Sequence, residues 1–251
     1  MEKKYTDINS SVIDSWVKDG WEWSVPVTHE EYLKALDGDW GIFLTPTKVV
    51  PHEWFGNLKG KKVLGLASGG GQQGPMLQAQ GADVTILDYS QEQLKREREV
   101  AEREDYDITV IRADMTERLP FEDESFDIIV HPVSNCYIQD VQHVWNECYR
   151  ILKKGGILMA GLDNGINFLY NDEETEMENV LPYNPLINPE QMEQAKKDNV
   201  GVQFSHTIEE QIDGQIRAGF TLTNVYGDTN GYGNLHEHNV DSFWGTRAVK
   251  Q

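Results

Sequence analysis

The sequence predicts an α/β fold in which a doubly wound, mostly parallel sheet of seven strands ends in an antiparallel pair. From Lys61 onward, short apolar runs alternate with helix candidates, which is the pattern of repeated βαβ units. A glycine-rich turn directly follows the first apolar run, and Asp88 ends the second. We expect the last two apolar runs, 220–226 and 242–250, to sit together as an antiparallel pair across residues 227–241. Ligands of such a sheet bind at the carboxyl ends of its strands.

The first 58 residues precede this alternation and differ from it in composition. They are polar and aromatic, and they hold five of the seven tryptophans: Trp16, Trp21, Trp23, Trp40 and Trp54. We expect helices near 8–19 and 28–37, followed by an irregular stretch with prolines. Residues 1–58 are therefore interpreted as an N-terminal helical and aromatic cap. Residues 59–251 are expected to form one domain with an insertion at about 163–205.

Within that domain, each element has a local signal. Ser90 with Gln93 is a capping-box signature for a helix at 91–104, and a 3.6-residue apolar period indicates a helix at 140–153. Gly155-Gly156 is expected to end the latter helix. Residues 163–205 show no clear element, which is typical of a lid or a disordered loop. The further expected helices are 72–80 and 207–218, and the strands are 61–67, 83–88, 107–112, 126–130, 157–162, 220–226 and 242–250.

Composition limits the classes of function. The chain has 22 basic and 42 acidic residues and a net charge of −20, which disfavours a nucleic-acid substrate. It has no run of about 18 apolar residues, so we expect no membrane span, and the N-terminus lacks the apolar stretch of a signal peptide. Cys136 and Cys148 have no metal-type spacing, and no metal site is expected. Two cysteines favour a reducing cytoplasm, with a disulfide between them as the alternative.

The glycine-rich turn predicts a cofactor that contains adenosine. Gly69, Gly71 and Gly74 satisfy G-x-G-x-x-G, and Asp88 follows 19 residues after Gly69, so a nicotinamide-dependent oxidoreductase must be considered. Dinucleotide loops place their first glycine directly after the strand, and Ala67 holds that position here. The registration therefore disfavours a dinucleotide but leaves it open.

Later segments make the choice more specific. Ala113-Asp114-Met115 follows the third strand, then come LPFEDESFDIIVHPVSN and VWNECYRILKKGGILMAG. This succession resembles the class I S-adenosylmethionine-dependent methyltransferases, in particular the small-molecule, type 11-like subgroup, over residues 60–162. The resemblance implies a Rossmann-like methyltransferase fold, S-adenosylmethionine as cofactor with S-adenosylhomocysteine as product, and in-line methyl transfer to a small molecule. A methyltransferase-like module that binds the cofactor without turnover remains an alternative.

The resemblance also assigns roles to the first loop. The family reads acid-x-Gly-x-Gly-x-Gly, which falls on Gly65, Ala67, Gly69 and Gly71. Ala67, Ser68 and Gly69 are then expected beside the methionine part and the ribose of the cofactor. Gly65 stands where the family has its acid, and Ala67 where it has its first glycine. Recognition of the methionine ammonium must therefore use backbone carbonyls or another side chain.

The following strand ends supply the other implied contacts. Asp88 would accept hydrogen bonds from the ribose hydroxyls, and Tyr89 would pack beside the adenine. Asp114 would accept from the adenine amine, while Met115 would donate its backbone N–H to the ring. The residues expected near the methionine tail and the sulfonium are His131, Pro132 and Val133.

Two features bear on the acceptor. His131 directly follows the fourth strand and is the candidate general base, with a role in shaping the pocket as the alternative. Tyr137 and Asn135 are candidates to line the acceptor pocket. The tryptophans of the cap suggest an aromatic lid that could hold a cationic acceptor, and the alternative is that they only anchor an additional helix on the core.

Overall fold

The computed structural model describes residues 4–171 and 173–251, so residues 1–3 of the expected cap lie outside the described part. Its seven strands are β1 (Lys62–Leu66), β2 (Asp83–Asp88), β3 (Thr109–Arg112), β4 (Phe126–His131), β5 (Leu152–Asp163), β6 (Phe220–Asp228) and β7 (Phe243–Lys250). They form one sheet in the order β3-β2-β1-β4-β5-β7-β6. The first five strands are parallel, and β7 pairs antiparallel with both β5 and β6. The predicted fold class is confirmed.

Helices cover both faces of this sheet. They are α1 (Tyr5–Lys18), α2 (His29–Leu36), α3 (Gln73–Ala79), α4 (Gln91–Glu104), α5 (Val141–Ile151), α6 (Pro189–Asp198), α7 (Gly214–Ala218) and α8 (Gly233–Glu237), with a π-helical turn before α7 (Glu209–Asp213). Because β1 and β4 lie at the centre of the sheet, their side chains are buried on both faces and read as continuous apolar runs. None of the helices in the described ranges is long and apolar enough to cross a membrane.

The ends of several helices follow their sequence signals. The Ser90 hydroxyl accepts the backbone N–H of Gln93 and caps α4, as expected. Thr28 caps α2 through a reciprocal pair of bonds with Glu31, which is a complete capping box. The Ser90 cap fixes where the chain leaves the carboxyl end of β2 and enters α4.

The prediction that Gly155-Gly156 ends α5 was wrong. The helix ends at Ile151, and Leu152 is already extended and paired with Phe126 of β4. The two glycines lie within the span of β5, where the pairing register shifts and Gly155 has a φ of +77°. Pairing of the fully buried Leu152 with the sheet therefore ends the helix before the glycines are reached.

The expectation that residues 163–205 lack regular structure was wrong in part, because α6 lies there. Asn188 caps this helix by accepting the N–H groups of Glu190 and Gln191, and Pro189 occupies the first helical turn. Only Gln191 and Ala195 of its ten residues are buried. A helix with so small a buried face has no apolar period, so the capping pair Asn188-Pro189 was its only clear signal.

The first 58 residues share a hydrophobic core with the sheet. This second core cluster lies on the side of α2 and α3, while the first lies on the side of α5 and contains Trp145 and Leu152. The cluster joins side chains of β1, β2 and β4 to apolar side chains that precede residue 59: Ala35, Ile42, Leu44, Val50, Trp54, Phe55 and Leu58.

Cys148 belongs to the first core cluster, and Cys136 lies in the short 3₁₀ turn Asn135–Tyr137 that follows β4. Cys136 and Cys148 are both free and buried. The alternative of a disulfide between them was therefore wrong, and both pack as small apolar side chains.

Candidate functional site

A cavity of about 240 Å³ opens at the carboxyl ends of β1, β2 and β4. This is the edge of the sheet where an open α/β fold binds its ligands. One wall is formed by residues that follow β1 to β4. The opposite wall is formed by α1, by Trp21 and Trp23, and by residues 43–46, which we call the strap.

The loop after β1 forms the floor of the cavity. Ala67 has a φ of +49°, a left-handed conformation that only glycine adopts without cost, and its N–H donates to the carbonyl of Leu87 at 2.8 Å. Ser68 is buried, and its hydroxyl has no hydrogen-bond partner among the described residues. A buried donor beside a cavity is a site at which a ligand can supply the missing bond.

The glycines of this loop allow close packing on α4. A Cβ on Gly69 would lie 2.6 Å from the Cβ of Gln93. The backbone N–H of Gly69 donates to Asp88 at 3.0 Å, that of Gly70 to the Gln93 carbonyl at 3.0 Å, and that of Gly71 to Glu97 at 2.6 Å. Dinucleotide loops present such N–H groups to the pyrophosphate. Since all three are already bonded within the chain, the geometry does not support the nicotinamide alternative.

The Asp88 carboxylate is held at the end of β2 by two backbone donors. Its Oδ2 accepts the N–H of Gly69 at 3.0 Å and its Oδ1 accepts the N–H of Ser90 at 2.9 Å. Burial raises the pKa of Asp88, while these two bonds oppose that rise. The side chain lines the cavity, and the cap of α4 is Ser90 rather than Asp88. The position suits a carboxylate that accepts hydrogen bonds from a diol.

Tyr89 connects the same strand end to α1. Its hydroxyl donates to Asp7 at 2.7 Å, and its carbonyl accepts the hydroxyl of Ser10 at 2.9 Å. The guanidinium of Arg112 lies 4.7 Å from the centre of the Tyr89 ring. Contacts with α1 and with Arg112 therefore fix the Tyr89 side chain, which lines the cavity.

After β3, Asp114 and Met115 line the cavity beside Asp88. The Oδ1 of Asp114 accepts the N–H of Thr116 at 2.9 Å and its hydroxyl at 2.7 Å. Both bonds use the same oxygen, so Oδ2 has no partner among the described residues. Met115 is buried and contributes an apolar surface.

After β4, Pro132 and Val133 line the cavity, but His131 does not. The ring of His131 is fully buried, with Nδ1 2.9 Å from the Leu66 carbonyl and Nε2 2.9 Å from Oδ1 of Asn135. Burial lowers the pKa of His131. Because both ring nitrogens face other acceptors, the geometry gives His131 no path to an acceptor proton and agrees with the alternative, a residue that shapes the pocket.

The other expected residues also differ in whether they line the cavity. Gly71 lies outside the lining, because it points toward α4. Asn135 is also outside it, since its amide is bonded to His131 and to Gln211. Tyr137 does line the cavity, and burial raises its pKa well above 10.

The departure at Gly65 has a steric cause. A Cβ there would lie 2.5 Å from the Cδ1 of Ile86 and 3.0 Å from the hydroxyl of Ser68. An acidic side chain can enter this position only if the side chains of Ile86 and Ser68 move. The unpartnered Ser68 hydroxyl is the nearest polar side chain to the place where the family has its acid.

Sequence reasoning missed the part of the opposite wall that α1 forms. Thr6, Asn9, Ser10 and Ile13 of α1 line the cavity at helical spacing. Most of this stripe is polar, so a search for apolar periods passes over it. Asn9 also fixes α1, because its amide bonds the carbonyls of Tyr137 and Val202 and accepts the N–H of Val202.

The strap was missed as well, although Gly161 gave a signal for it. The strap passes directly over β5, where a Cβ on Gly161 would overlap the carbonyl of Leu44. The same carbonyl accepts the N–H of Val133 at 3.1 Å. A glycine in the middle of a long buried strand indicates that another backbone segment approaches closely.

The aromatic residues of the N-terminal segment reach the cavity in part. Trp21 and Trp23 line it, while Trp16 packs on Trp21 with ring centroids 5.3 Å apart. Trp54 lies in the core instead. Two tryptophans are therefore placed to contact a ligand, and the others have packing roles.

Known proteins resemble this chain over most of its length. A family model described as a methyltransferase domain matches residues 64–160. The uncharacterized methyltransferase YbaJ of Bacillus subtilis (strain 168) is 44% identical over 250 residues, which cover 96% of this chain and 97% of that protein.

Two solved structures show the same fold. An S-adenosylmethionine-dependent methyltransferase from Mesorhizobium loti aligns with a TM-score of 0.63 at 20% identity, over 79% of this chain and 94% of that one. A geranyl diphosphate methyltransferase in complex with S-adenosylmethionine aligns with a TM-score of 0.54 at 15% identity, over 79% of this chain and 82% of that one.

The residues of the cavity fit this cofactor. Asp88 offers a fixed carboxylate for a ribose, Ser68 offers an unpartnered hydroxyl, and Asp114 offers a free carboxylate oxygen. No lysine, arginine or histidine is among the described residues that line the cavity, so nothing there repels a sulfonium. The chain belongs to the S-adenosylmethionine-dependent methyltransferases.

Proposed function

We propose that this enzyme methylates a small molecule that is uncharged or cationic. The observation that carries the proposal is the cavity itself, which the N-terminal wall encloses and whose described lining has no cationic side chain. A large polymer would need an open groove. An anionic acceptor would have to bury its charge without a partner, which costs several kcal/mol in such surroundings.

We assign the cofactor contacts to residues that line the same cavity. Asp88 accepts hydrogen bonds from the ribose hydroxyls, and Tyr89 packs beside the adenine. Asp114 accepts from the adenine amine through Oδ2, with the backbone of Met115 on the ring. Two observations support these contacts. The groups line one cavity, and two backbone N–H donors hold the Asp88 carboxylate in place.

The methionine part of the cofactor and the acceptor occupy the remainder of the cavity. Ala67, Ser68 and Gly69 face the methionine part, with Pro132 and Val133 near the sulfonium. Residues 1–58 act as a cap over the acceptor, in which Trp21, Trp23 and the strap supply the apolar contacts.

The cofactor supplies a methyl group that its sulfonium already activates. The residues of the chain orient the acceptor in line with that group and exclude water, which can lower a barrier by roughly 7–11 kcal/mol in favourable cases. Tyr137 is held protonated by its burial, and His131 is turned away. We therefore infer that the acceptor atom already carries a nucleophilic lone pair at neutral pH, as in an uncharged amine or a ring nitrogen.

A panel of acceptors tests the proposal. Methyl transfer from labelled S-adenosylmethionine is measured with amines and nitrogen heterocycles, and with matched analogues that carry a carboxylate or a phosphate. Turnover is expected with uncharged or cationic members and at least tenfold weaker for the anionic partner of each pair. Added S-adenosylhomocysteine serves as the control, because it should abolish every true signal. Transfer only to anionic molecules, or only to protein or nucleic acid, would contradict the proposal.

A further inference from the structure

A buried carboxyl group lies directly beneath the glycine-rich loop. Glu97 of α4 is fully buried, and its Oε1 accepts the backbone N–H of Gly71 at 2.6 Å. Its other oxygen, Oε2, has no hydrogen-bond partner among the described residues. Neither the family's motif nor the cofactor contacts proposed above include this residue.

The surroundings of this carboxyl are apolar and tightly packed. A Cβ on Gly74 would lie 2.5 Å from Oε2 of Glu97 and 3.3 Å from the Cδ1 of Ile108. A Cβ on Gly71 would lie 3.0 Å from a methyl group of Val100. The glycines at 71 and 74 therefore leave space for the Glu97 carboxyl and its neighbours, and they bring the loop against α4.

The Asp88 carboxylate disfavours the ionised form of Glu97 by electrostatic repulsion. The nearby hydroxyl of Tyr106 is neutral, and it has no hydrogen-bond partner among the described residues. α3, which packs above Glu97, carries no charged residue. Burial raises the pKa of Glu97 to about 8, with the Gly71 bond opposing this rise and Asp88 adding to it. Glu97 is therefore a neutral acid at pH 7.

We propose that Glu97 is a positioning residue for the cofactor, and that in its neutral form it holds the loop which presents Ser68 and Gly69 to the cavity. When Glu97 loses its proton, one N–H bond from Gly71 does not replace the water that the carboxylate requires. The loop must then open to hydrate the charge, and the floor of the cavity is lost. Cofactor affinity is thereby coupled to pH through a group that does not touch the cofactor.

Titration of S-adenosylhomocysteine by calorimetry between pH 6.5 and 9.5 tests this coupling. If only the protein with neutral Glu97 binds S-adenosylhomocysteine, the affinity of the unsubstituted enzyme should fall about tenfold from pH 7 to pH 9. The fraction of protein with neutral Glu97 falls by that factor over this range. Glu97→Gln keeps an acceptor for Gly71 and has no proton to lose, so its affinity should lack this fall. Glu102→Gln is the matched control, because Glu102 is exposed on the same helix and should leave the fall in place.

Thermal unfolding of the ligand-free protein gives a second measurement. The pKa of Glu97 is raised in the folded state from its ordinary value of 4.5 to about 8, so the folded state binds the extra proton between these values. The stability of the unsubstituted protein relative to Glu97→Gln should therefore fall as pH rises from 4.5 to 8 and stay level above 8.

The results separate this proposal from the others. Equal pH dependence of affinity in the unsubstituted protein and in Glu97→Gln would overturn it, as would a relative stability that rises across this range. Glu97→Ala should bind S-adenosylhomocysteine more weakly at every pH if it folds, and the Glu97→Gln comparison stands if it does not. None of these measurements involves an acceptor, so they do not depend on the proposed substrate class.

Discussion

At the scale of single residues, the positions that follow a strand were predictable and the directions of side chains were not. Asp88, Asp114 and Val133 reach the cavity because parallel strands end at one edge of the sheet. His131 shares that placement, yet its ring packs edge-on against Trp145 and bonds the Leu66 carbonyl. These partners are 14 and 65 positions away in the sequence, so no local pattern could report them.

Replacement of Asp88 should weaken cofactor binding most directly. In Asp88→Asn an amide N–H₂ must face the N–H of either Gly69 or Ser90, and the charge offered to the ribose is lost. Hydrogen bonds to charged groups contribute about 1.5–3 kcal/mol, so S-adenosylhomocysteine should bind at least tenfold more weakly. Calorimetry measures this. Asp83→Asn, at the exposed opposite end of β2, should bind as tightly as the unsubstituted protein, and equal affinities in the two variants would contradict the prediction.

At the scale of elements, strands and helices with a buried face were predictable, while elements defined by tertiary contacts were not. α6 buries two residues and carries no apolar period. The strap has no regular structure, and its path is set by two contacts of its Leu44 carbonyl, with Gly161 and with Val133. Conversely, Gly155-Gly156 was interpreted as a helix end, but the two glycines lie where the pairing register between β4 and β5 shifts.

The strap makes Gly161 a sensitive position. In Gly161→Ala the added methyl group overlaps the Leu44 carbonyl and lies 2.9 Å from the Val133 nitrogen, so the strap must move away from β5. Overpacking of this kind typically costs about 1–3 kcal/mol, and cofactor affinity should fall with the melting temperature. Gly41→Ala is the matched control, since its closest neighbour is a methyl group of the exposed Val49 side chain at 3.1 Å. Equal melting temperatures of the two variants would contradict this role of the strap.

At the scale of the whole molecule, composition disfavoured some classes of function but did not show how the N-terminal segment is integrated. A change in composition near residue 58 suggested an N-terminal cap distinct from the domain that follows. The described structure shows the second core cluster crossing that point, with Ile42, Leu44 and Phe55 packed among side chains of the sheet. The composition of a segment does not indicate which of its side chains are buried against the rest of the protein.

Deletion of residues 1–55 should therefore abolish folding rather than open a lid. The deletion removes six side chains of the second core cluster, and large-to-small changes in a core cost about 2–5 kcal/mol each. The total exceeds the stability of an ordinary domain, so calorimetry should show no cooperative transition. Trp23→Ala should keep the transition, because Trp23 is 36% exposed at the rim of the cavity. A deletion variant that melts cooperatively and binds S-adenosylhomocysteine would refute this.

The anchoring of the N-terminal segment has a consequence for synthesis of the chain. The bonds that hold it come from distant residues: Asn9 is bonded to Val202, Thr47 to Asp228, and the Trp54 carbonyl to Arg247. Each of these partners lies more than 180 positions later in the chain. The segment is thus synthesised well before its partners, and its apolar side chains have no complete core to enter until Arg247 has also left the ribosome.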